Sequence, residues 1–516
     1  MKRKLFLLAK KPLLQITPTT PELYEQYRSA MHEVADIAYA AAVLQWDQET
    51  YLPPGSADAR NRQIATLFEL AHQKFTGSNV GILLDQLTER SDLTETQREN
   101  VRLSREDYLK KTKLPGYFVR RLAEASGKAF HNWVEARKKN EFELFAGSLE
   151  EIVSLKHQHA DFLGYEQNPL DALLNEYDKG STVAQLDAIF GSLKTSLLPL
   201  LEKIRHCTPP DNGFLHRHYP KDIQWQYALG LLTAMGFDFN RGRQDLSAHP
   251  FTISFGSNDV RITTRTDEQD FGNMTWSCLH EGGHALYEQG LPESEYGLPL
   301  GEAASFSVHE SQSRIWENNI GRGLDYWTFR YPELQKTFPE QLGDIPLETF
   351  YRGINRVQPS LIRTEADELT YHFHVMIRYE IEKMLVNKEI QPADVPTVWN
   401  RKYNDYLGVT PPTDSNGCLQ DVHWSHGDIG YFPSYSIGTI MAAQLFSVFE
   451  RQNEDFQPEL RAGNTEKLLN WLRKAIHTFG RRYTTAELCE RSTGEPLNAR
   501  YLSVYLEKKY TYIYNL

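Results

Sequence analysis

Apolar residues recur at the spacing of an α-helix at both ends of the chain. In the first segment, apolar or small residues at positions 23, 27, 30, 34, 37, 41 and 44 fall on one helical face. Thr20 as a cap and Pro21 at the first helical position predict where this helix begins, and the prolines and glycine at 53–55 predict its end. Near the C-terminus, positions 469, 472, 476 and 479 repeat the spacing and predict a helix that stops at Gly480. We therefore predict a mostly α-helical fold.

Residues 251–264 are the clearest exception to the helical pattern. β-forming residues flank a Gly-Ser-Asn-Asp turn there, which predicts a β-hairpin. The hairpin comes shortly before the candidate metal ligands described below, so we expect a small sheet to form one wall of their site. The sequence contains no internal repeat, low-complexity segment or long linker that would mark a boundary. The simplest prediction is one large helical domain over residues 1–516, with two lobes around a cleft.

Composition excludes several classes of partner. A net charge of -12 argues against nucleic acid, because phosphate binding needs concentrated Lys and Arg. Nowhere does the sequence contain the roughly 20 consecutive apolar residues of a membrane helix. The apolar run that starts at Leu5 is five residues long and is closed by Lys10 and Lys11, too short for a signal peptide. The four cysteines are widely spaced, as in a reducing compartment. We predict a cytoplasmic protein with no membrane partner.

The segment His280-Glu281-Gly282-Gly283-His284 carries the strongest chemical signal. On a helix, His280 and His284 stand one turn apart on the same face and can both direct a ring nitrogen at one zinc ion. Glu281 points about a quarter-turn away, where it can reach a water at the ion without binding the ion itself. The alternative is two surface histidines that lie beside a glutamate by chance. We predict a catalytic zinc site of the kind found in metallopeptidases.

Two consecutive glycines lie inside this predicted helix. Gly282 and Gly283 each cost roughly 1 kcal/mol relative to alanine, which a purely structural helix has little reason to accept. Side chains at these positions would obstruct either the substrate backbone or a closely packed second helix, and the sequence leaves both explanations open. Gly290 and Pro292 then predict the end of the helix.

A catalytic zinc needs a third protein ligand and an open position. The long metzincin pattern is excluded, because Tyr287 and Gly290 stand where it requires Gly and His. The next donors lie in a helix-like stretch at 301–314, from which we choose Glu310, with Glu302 and His309 as rivals. From periodicity alone, an i,i+4 ion pair between Glu310 and Arg314 is the better-supported role. The residues by themselves do not decide the third ligand.

Several further segments accompany the zinc motif along the chain, and together they resemble one family. They are WDQET at 46–50 with PPG at 53–55, HPF at 249–251, DVRIT at 259–263, HESQ at 309–312, IRTEAD at 362–367 and GCLQDVHW at 417–424. In this order they are similar to the carboxypeptidase Taq (thermostable carboxypeptidase 1) family of zinc-dependent metallocarboxypeptidases. The likeness covers most of the chain, and residues 1–12 look like an extension outside its pattern.

The resemblance implies properties that composition and spacing do not give. It implies a mostly helical fold with a deep groove, a short sheet at the active site and a homodimer. It also implies that Glu310 is the third zinc ligand. Members of this family remove C-terminal residues from peptides with a free carboxylate, with broad specificity and a bias against proline. One Zn²⁺ per chain is expected, with Co²⁺ as an alternative because similar ligand sets accept both metals.

Peptide hydrolysis at such a site makes two further demands on the protein. The oxyanion that develops needs a donor besides the metal, and Tyr431, Tyr435 and His423 are the candidates. Each of them could equally be an ordinary core residue. A free α-carboxylate calls for the two-pronged donor of an arginine, for which Arg363 is our first choice and Arg261 the second.

Alternatives exist both for the role of these two arginines and for the function of the whole protein. An internal salt bridge would join Arg363 to Asp367, or Arg261 to Asp259. The chain itself could be a helical zinc endopeptidase or oligopeptidase that cuts internal bonds, or a helical binding scaffold with an inactive site. The complete set of His280, Glu281, His284 and Glu310 counts against the scaffold.

Overall fold

The computed structural model describes residues 18–516. The extension at 1–12 and the signal-peptide argument for the first eleven residues lie outside this range. In chain order the helices begin with α1 Thr20–Thr50, α2 Ala57–Phe75, α3 Ser78–Thr88, α4 Glu95–Lys113, α5 Gly116–Lys139, α6 Glu143–Leu163, α7 Pro169–Leu174, α8 Val183–Arg205, α9 Lys221–Met235, α10 Phe271–Gly290 and α11 Phe306–Arg314. They continue with α12 Leu324–Thr337, α13 Pro339–Leu342, α14 Leu347–Ile354, α15 Tyr371–Val386, α16 Val395–Leu407, α17 His423–His426, α18 Pro433–Gln452, α19 Phe456–Arg461, α20 Glu466–Ala475, α21 Thr485–Thr493 and α22 Arg500–Tyr514. The mostly α-helical prediction is confirmed.

The start of α1 differs from the prediction by one residue. Thr19, not Thr20, is the cap, and its side chain accepts a hydrogen bond from the backbone N–H of Glu22. The Glu22 carboxylate in turn accepts from the Thr19 backbone N–H, which completes a capping box. The prediction missed this pairing because it relied on Pro21, which lies at the second helical position. The helix ends at Thr50, shortly before the prolines as expected.

The predicted C-terminal helix ends earlier than the apolar spacing suggests. Helix α20 stops at Ala475, and the segment His477–Arg482 forms a 3₁₀ turn. Gly480 lies in this turn at φ +49°, and a Cβ atom built there would approach the carbonyl oxygen of Leu300 to 2.0 Å. Close backbone packing therefore explains this glycine, and its prediction as a helix stop was wrong.

The hairpin prediction is confirmed and belongs to a three-stranded sheet. Strands β2 (Phe251–Ser254) and β3 (Val260–Thr264) are antiparallel, with Thr252 opposite Ile262. Strand β1 (Gly242–Leu246), which the sequence did not predict, pairs in parallel with β3. The order β1-β3-β2 leaves β2 at an edge of the sheet. Helix α10 packs against β2 and β3, so the small sheet lies beside the helix of the candidate metal ligands as expected.

Two large apolar clusters form the core, and helix α18 contributes to both. Helix α18 contributes Ile437 and Ile440 to the first cluster, which contains most buried residues of α6, α8, α15 and α16. It contributes Met441 and Leu445 to the second, which is built around α9, α10, α12 and β3. The organisation as a single domain stays a prediction. No helix within residues 18–516 is both long enough and apolar enough to cross a bilayer.

Candidate metal centre and active-site groove

A groove of about 2190 Å³ runs along α10, and the candidate metal ligands lie in its wall. Helix α10 is capped by Asp270, whose side chain accepts from the backbone N–H of Gly272, and the helix presents His280 and His284. Glu310 comes from α11, which begins later than the predicted stretch at 301–314 because Ser305 is its cap. The structure therefore brings the three predicted ligands together on two packed helices.

The spacing of the three donor atoms suits a tetrahedral ion. Glu310 Oε2 lies 3.8 Å from His280 Nε2 and 3.6 Å from His284 Nε2. All three donor atoms lie within 4.8 Å of one another. Atoms bound at 2.0–2.2 Å to a tetrahedral zinc are about 3.3–3.6 Å apart, so small side-chain movements complete the geometry. Two imidazoles and one carboxylate leave a fourth position free, as in catalytic zinc sites.

The rival third ligands have other partners. Glu302 pairs with Arg481 at 2.8 Å, and His309 contacts the outer nitrogen of His284. The geometry of Glu310 is compatible with both roles considered for it, because its Oε1 accepts from Arg314 Nε at 2.6 Å while its Oε2 faces the histidines. The ion pair with Arg314 is therefore a part of the candidate centre and does not compete with it.

A second carboxylate supports His280 from behind. Glu317 Oε2 lies 2.9 Å from His280 Nδ1 and also accepts from Arg314 Nη1 at 2.9 Å. Burial by itself would raise the pKa of Glu317, but the charges of Arg314, His280 and Arg322 outweigh it and hold that pKa below its usual value. The Glu317 carboxylate therefore stays ionised and accepts the Nδ1–H of His280, which leaves Nε2 free for a metal.

Glu281 is buried next to the edge strand of the sheet. Its Oε2 accepts a hydrogen bond from Thr252 Oγ1 at 2.7 Å, which orients the carboxylate. Burial raises the pKa of Glu281, partly offset by the positive charge of His280 and by the Thr252 bond. A raised pKa suits a group that accepts a proton during turnover. Thr252 was not a sequence candidate, because its contact to Glu281 exists only once β2 packs against α10.

The two glycines of α10 are explained by helix packing. A Cβ atom at Gly283 would lie 2.6 Å from Ser313 Cα and 2.7 Å from Gln312 O, in the backbone of α11. A Cβ at Gly282 would lie 2.8 Å from side-chain atoms of Leu232 and Met235 in α9. Of the two explanations that the sequence left open, the closely packed second helix is therefore correct. Gly438 of α18 is similar, because its Cβ would lie 2.6 Å from Cβ of Glu310.

Gly283→Ala should destabilise the protein. The gain in helix propensity is about 1 kcal/mol, whereas overpacking against the rigid backbone of α11 costs about 1–3 kcal/mol, and the predicted net result is a loss. Urea unfolding measures this change. The matched control is Gly191→Ala on the exposed face of α8, where nothing lies within 4 Å of the added atom and stability should rise slightly. Equal effects of the two substitutions would contradict the packing explanation.

The three candidates for donation to the oxyanion do not all reach the groove. Tyr431 and Tyr435 line the groove, whereas His423 is not part of its lining and contacts Tyr435 Oη through Nε2 at 3.2 Å. Burial raises the pKa of Tyr431 to about 12 and that of Tyr435 well above its usual value, so both phenols keep their protons. Burial lowers the pKa of His423 to about 3. The two tyrosines are thus hydrogen-bond donors in the groove, and neutral His423 lies behind one of them.

Both predicted carboxylate-binding arginines are engaged in internal ion pairs. Arg363 lines the groove but is buried, and its Nε and Nη2 each lie 3.1 Å from Asp421 Oδ1. Asp367, the partner named in the alternative role of Arg363, instead accepts hydrogen bonds from Thr370, so that pairing was wrong. Arg261 forms the alternative ion pair with Asp259, with its Nε 2.9 Å from Oδ1 and its Nη2 2.8 Å from Oδ2. It does not line the groove.

Sequence reasoning missed Arg356, which also lines the groove. Its Nη1 donates to Asn212 Oδ1 at 2.9 Å, and its buried Nε has no hydrogen-bond partner within the described part of the chain. No carboxylate of residues 18–516 forms an ion pair with it, in contrast to Arg363. No local spacing marks Arg356 in the sequence, because its nearest polar contact comes from a residue more than a hundred positions away.

Comparisons with known proteins identify the family of the chain. The family model described as carboxypeptidase Taq (M32) metallopeptidase matches residues 26–510. "Thermostable carboxypeptidase 1" of Thermus thermophilus is 40% identical over 511 residues, which cover 96% of this chain and 100% of that protein. "Carboxypeptidase 1" of Bacillus subtilis is 38% identical over 494 residues, which cover 95% of this chain and 99% of the relative.

The fold is similar to solved structures as well. The M32 carboxypeptidase from Deinococcus radiodurans R1 superposes with a TM-score of 0.94 at 40% identity, covering 96% of this chain and 100% of that chain. The family match over nearly the whole chain and the full-length relatives agree with the resemblance found in the motifs. The chain belongs to the carboxypeptidase Taq (M32) family of metallopeptidases and is a metallocarboxypeptidase.

Proposed function

We propose that this enzyme is zinc-dependent and hydrolyses the C-terminal peptide bond of peptides with broad specificity. The observation that carries the proposal is the convergence of His280, His284 and Glu310 beside the buried carboxylate of Glu281, in the wall of one large groove. A bound zinc ion would supply Lewis-acid activation of water and of the scissile carbonyl. Co²⁺ remains the alternative metal, since the same ligand set accepts it.

The residues around the proposed zinc have separate roles. Glu281 takes the proton of the attacking water and returns it to the leaving amine, while Thr252 holds the carboxylate in place. Tyr435 and Tyr431 keep their phenolic protons and donate to the oxyanion that develops at the carbonyl. His423 positions Tyr435, because its Nε2 contacts the Tyr435 hydroxyl.

The peptide carboxylate needs an arginine with free donors, and the contacts favour Arg356 over Arg363. Arg363 already gives Nε and Nη2 to Asp421 and Nη1 to Tyr371 Oη at 3.0 Å. A substrate carboxylate would have to displace one of these buried contacts. Arg356 is half-buried in the groove lining, and its Nε has no partner within residues 18–516. We therefore propose Arg356 as the anchor and retain Arg363 as the second candidate.

Arg356→Ala should abolish most of the discrimination against a C-terminally amidated peptide. Loss of a charge-assisted bidentate contact costs roughly 1.5–3 kcal/mol, or about ten- to a hundredfold in kcat/KM on the free acid. Amidation removes the same contact, so the two changes should combine non-additively. Arg261→Ala, outside the groove lining, is the control and should combine additively with amidation. If the amidation penalty survives in Arg356→Ala and vanishes in Arg363→Ala, Arg363 holds the carboxylate.

The proposed activity is tested by following peptide shortening. The purified protein, with its metal content measured, is incubated with one peptide as the free acid and as the C-terminal amide, and products are identified by mass spectrometry. Loss of single C-terminal residues from the acid alone is expected. Internal cleavage of the amide would support the endopeptidase alternative, and no product from either peptide by the metal-loaded protein would support the inactive scaffold.

Two broader properties are proposed as well, the first implied by the family resemblance and the second by the use of cysteine. We propose a homodimer, which light scattering of the purified protein tests directly. We also propose a cytoplasmic location, supported by the four cysteines, all of which are unpaired and three of which are buried. Fractionation of the source cells tests the location, and enrichment outside the cytoplasm would contradict it.

A further inference from the structure

The two histidines of the metal centre are supported from behind in different ways. Both direct Nε2 towards Glu310, so Nδ1 is the outer nitrogen of each ring. His280 Nδ1 contacts the Glu317 carboxylate directly at 2.9 Å. His284 Nδ1 lies 2.5 Å from Nδ1 of another histidine, His309. A carboxylate also supports His284, but the ring of His309 lies between the two.

That carboxylate is Glu288, which follows His284 by one turn of α10. His309 Nε2 lies 2.8 Å from Glu288 Oε1, so the His309 ring connects His284 to Glu288 across the interface of α10 and α11. The Tyr287 ring packs against His309 at 5.3 Å between centroids, and its hydroxyl accepts from the backbone N–H of Ala304 at 3.0 Å. The connecting ring is therefore held by two helices and by a buried aromatic residue.

This chain of contacts allows one arrangement of protons. A metal-binding Nε2 must offer its lone pair, so the hydrogen of neutral His284 is on Nδ1. His309 Nδ1 must then accept it, which puts the His309 hydrogen on Nε2. Glu288, an acceptor when ionised, takes that hydrogen at the far end. The positions of the ring N–H hydrogens of His284 and His309 are therefore both fixed by this series of hydrogen bonds, which ends at Glu288.

We propose that Glu288 and His309 form a relay that fixes the tautomer and ring orientation of His284 and thereby raises the affinity of the site for its metal. Both act through His284, so they are positioning residues. His309 precedes Glu310 in the sequence, and α11 thus supplies the third ligand and the support of the second. The inference rests on the proposed assignment of His284 and Glu310 as ligands, and it assigns a role to Glu288, which lies outside the family motifs quoted above.

Zinc affinity, measured by competition with a chelator, tests the relay. Glu288→Gln replaces a pure acceptor by an amide that can also donate, so the hydrogen bonds no longer run in one fixed direction. Zinc affinity should therefore fall about tenfold, the lower end of the range for an outer contact to a ligand. His309→Phe removes the connection and should cost about ten- to a hundredfold, the usual range for an outer contact to a ligand. Glu302→Gln, an exposed carboxylate paired with Arg481, is the matched control and should bind zinc like the unmodified enzyme.

A double-mutant cycle separates the relay from a merely structural role. His309→Asn can keep an acceptor beside His284 but no longer reaches Glu288, so adding Glu288→Gln to it should change zinc affinity no further. ¹⁵N NMR of the zinc-free protein should show the hydrogen of His284 on Nδ1, and a mixture of tautomers in Glu288→Gln. Additive losses in the cycle, or equal zinc affinity of Glu288→Gln and Glu302→Gln, would overturn the relay. These outcomes remain decisive if His309→Phe fails to fold.

The same series distinguishes failure of the relay from failure of the ligand assignment. His284→Ala should abolish tight zinc binding if the assignment is right. If His284→Ala keeps zinc, the ligand assignment is wrong and the relay falls with it. If His284→Ala loses zinc while Glu288→Gln and His309→Asn both bind it normally, the ligands stand and the relay alone is wrong.

Discussion

Glu281→Gln should keep its metal and lose nearly all turnover. The three proposed ligands are untouched, and the Gln side chain has almost the same size in the same pocket beside Thr252. An amide cannot accept the proton of the attacking water, so the rate should fall by the full contribution of the general base, about 10²- to 10⁴-fold in kcat. Steady-state kinetics on a free-acid peptide, together with metal analysis of the same preparation, measure both quantities.

The control for this substitution is Glu293→Gln, an exposed carboxylate just beyond the end of α10. It makes the same chemical change near the same helix, but it contacts Asn258 and no metal ligand. Its kcat and zinc content should match those of the unmodified enzyme. Retention of more than about a tenth of the activity by zinc-loaded Glu281→Gln would remove Glu281 from the role of base, whatever the control does.

Glu310→Ala should lose tight metal binding and some stability. It leaves two histidines to hold the ion, so affinity should fall by more than the roughly hundredfold that an outer contact can cost. Arg314 also loses the carboxylate at 2.6 Å and keeps only Glu317, at 2.9 Å, in a buried position. Breaking such a buried ion pair costs up to about 3 kcal/mol when the arginine keeps a second carboxylate as its partner. Chelator competition and urea unfolding measure the two effects.

The zinc-free forms of the variant and of the unmodified protein separate these two effects, because the stability loss from Arg314 should persist without metal. Glu302→Ala is the matched control, since the sequence alone made Glu302 a rival ligand and the structure pairs it with Arg481. This control should bind zinc normally. Full zinc occupancy in Glu310→Ala would place the third ligand elsewhere.

The spacing of residues along the chain predicted much of the fold and the part of the candidate site that lies on one helix. The helical periodicity of α1, the hairpin of β2 and β3, and the single-helix placement of His280, Glu281 and His284 all depend on residues within a few positions of one another. Such patterns are visible in a sequence because the helical and strand periods are fixed by backbone geometry. The errors at Thr19 and Gly480 arose where a side-chain cap or a distant backbone contact replaced the local signal.

The sequence by itself thus determined a helical metallopeptidase with two histidines and a glutamate on one helix. Only the tertiary structure decided that Gly283 makes room for α11, that Asp421 is the partner of Arg363, and that Thr252 holds Glu281. Each of these contacts joins residues about 30 or more positions apart. Their distances depend on how the helices and the sheet pack, which no local period encodes.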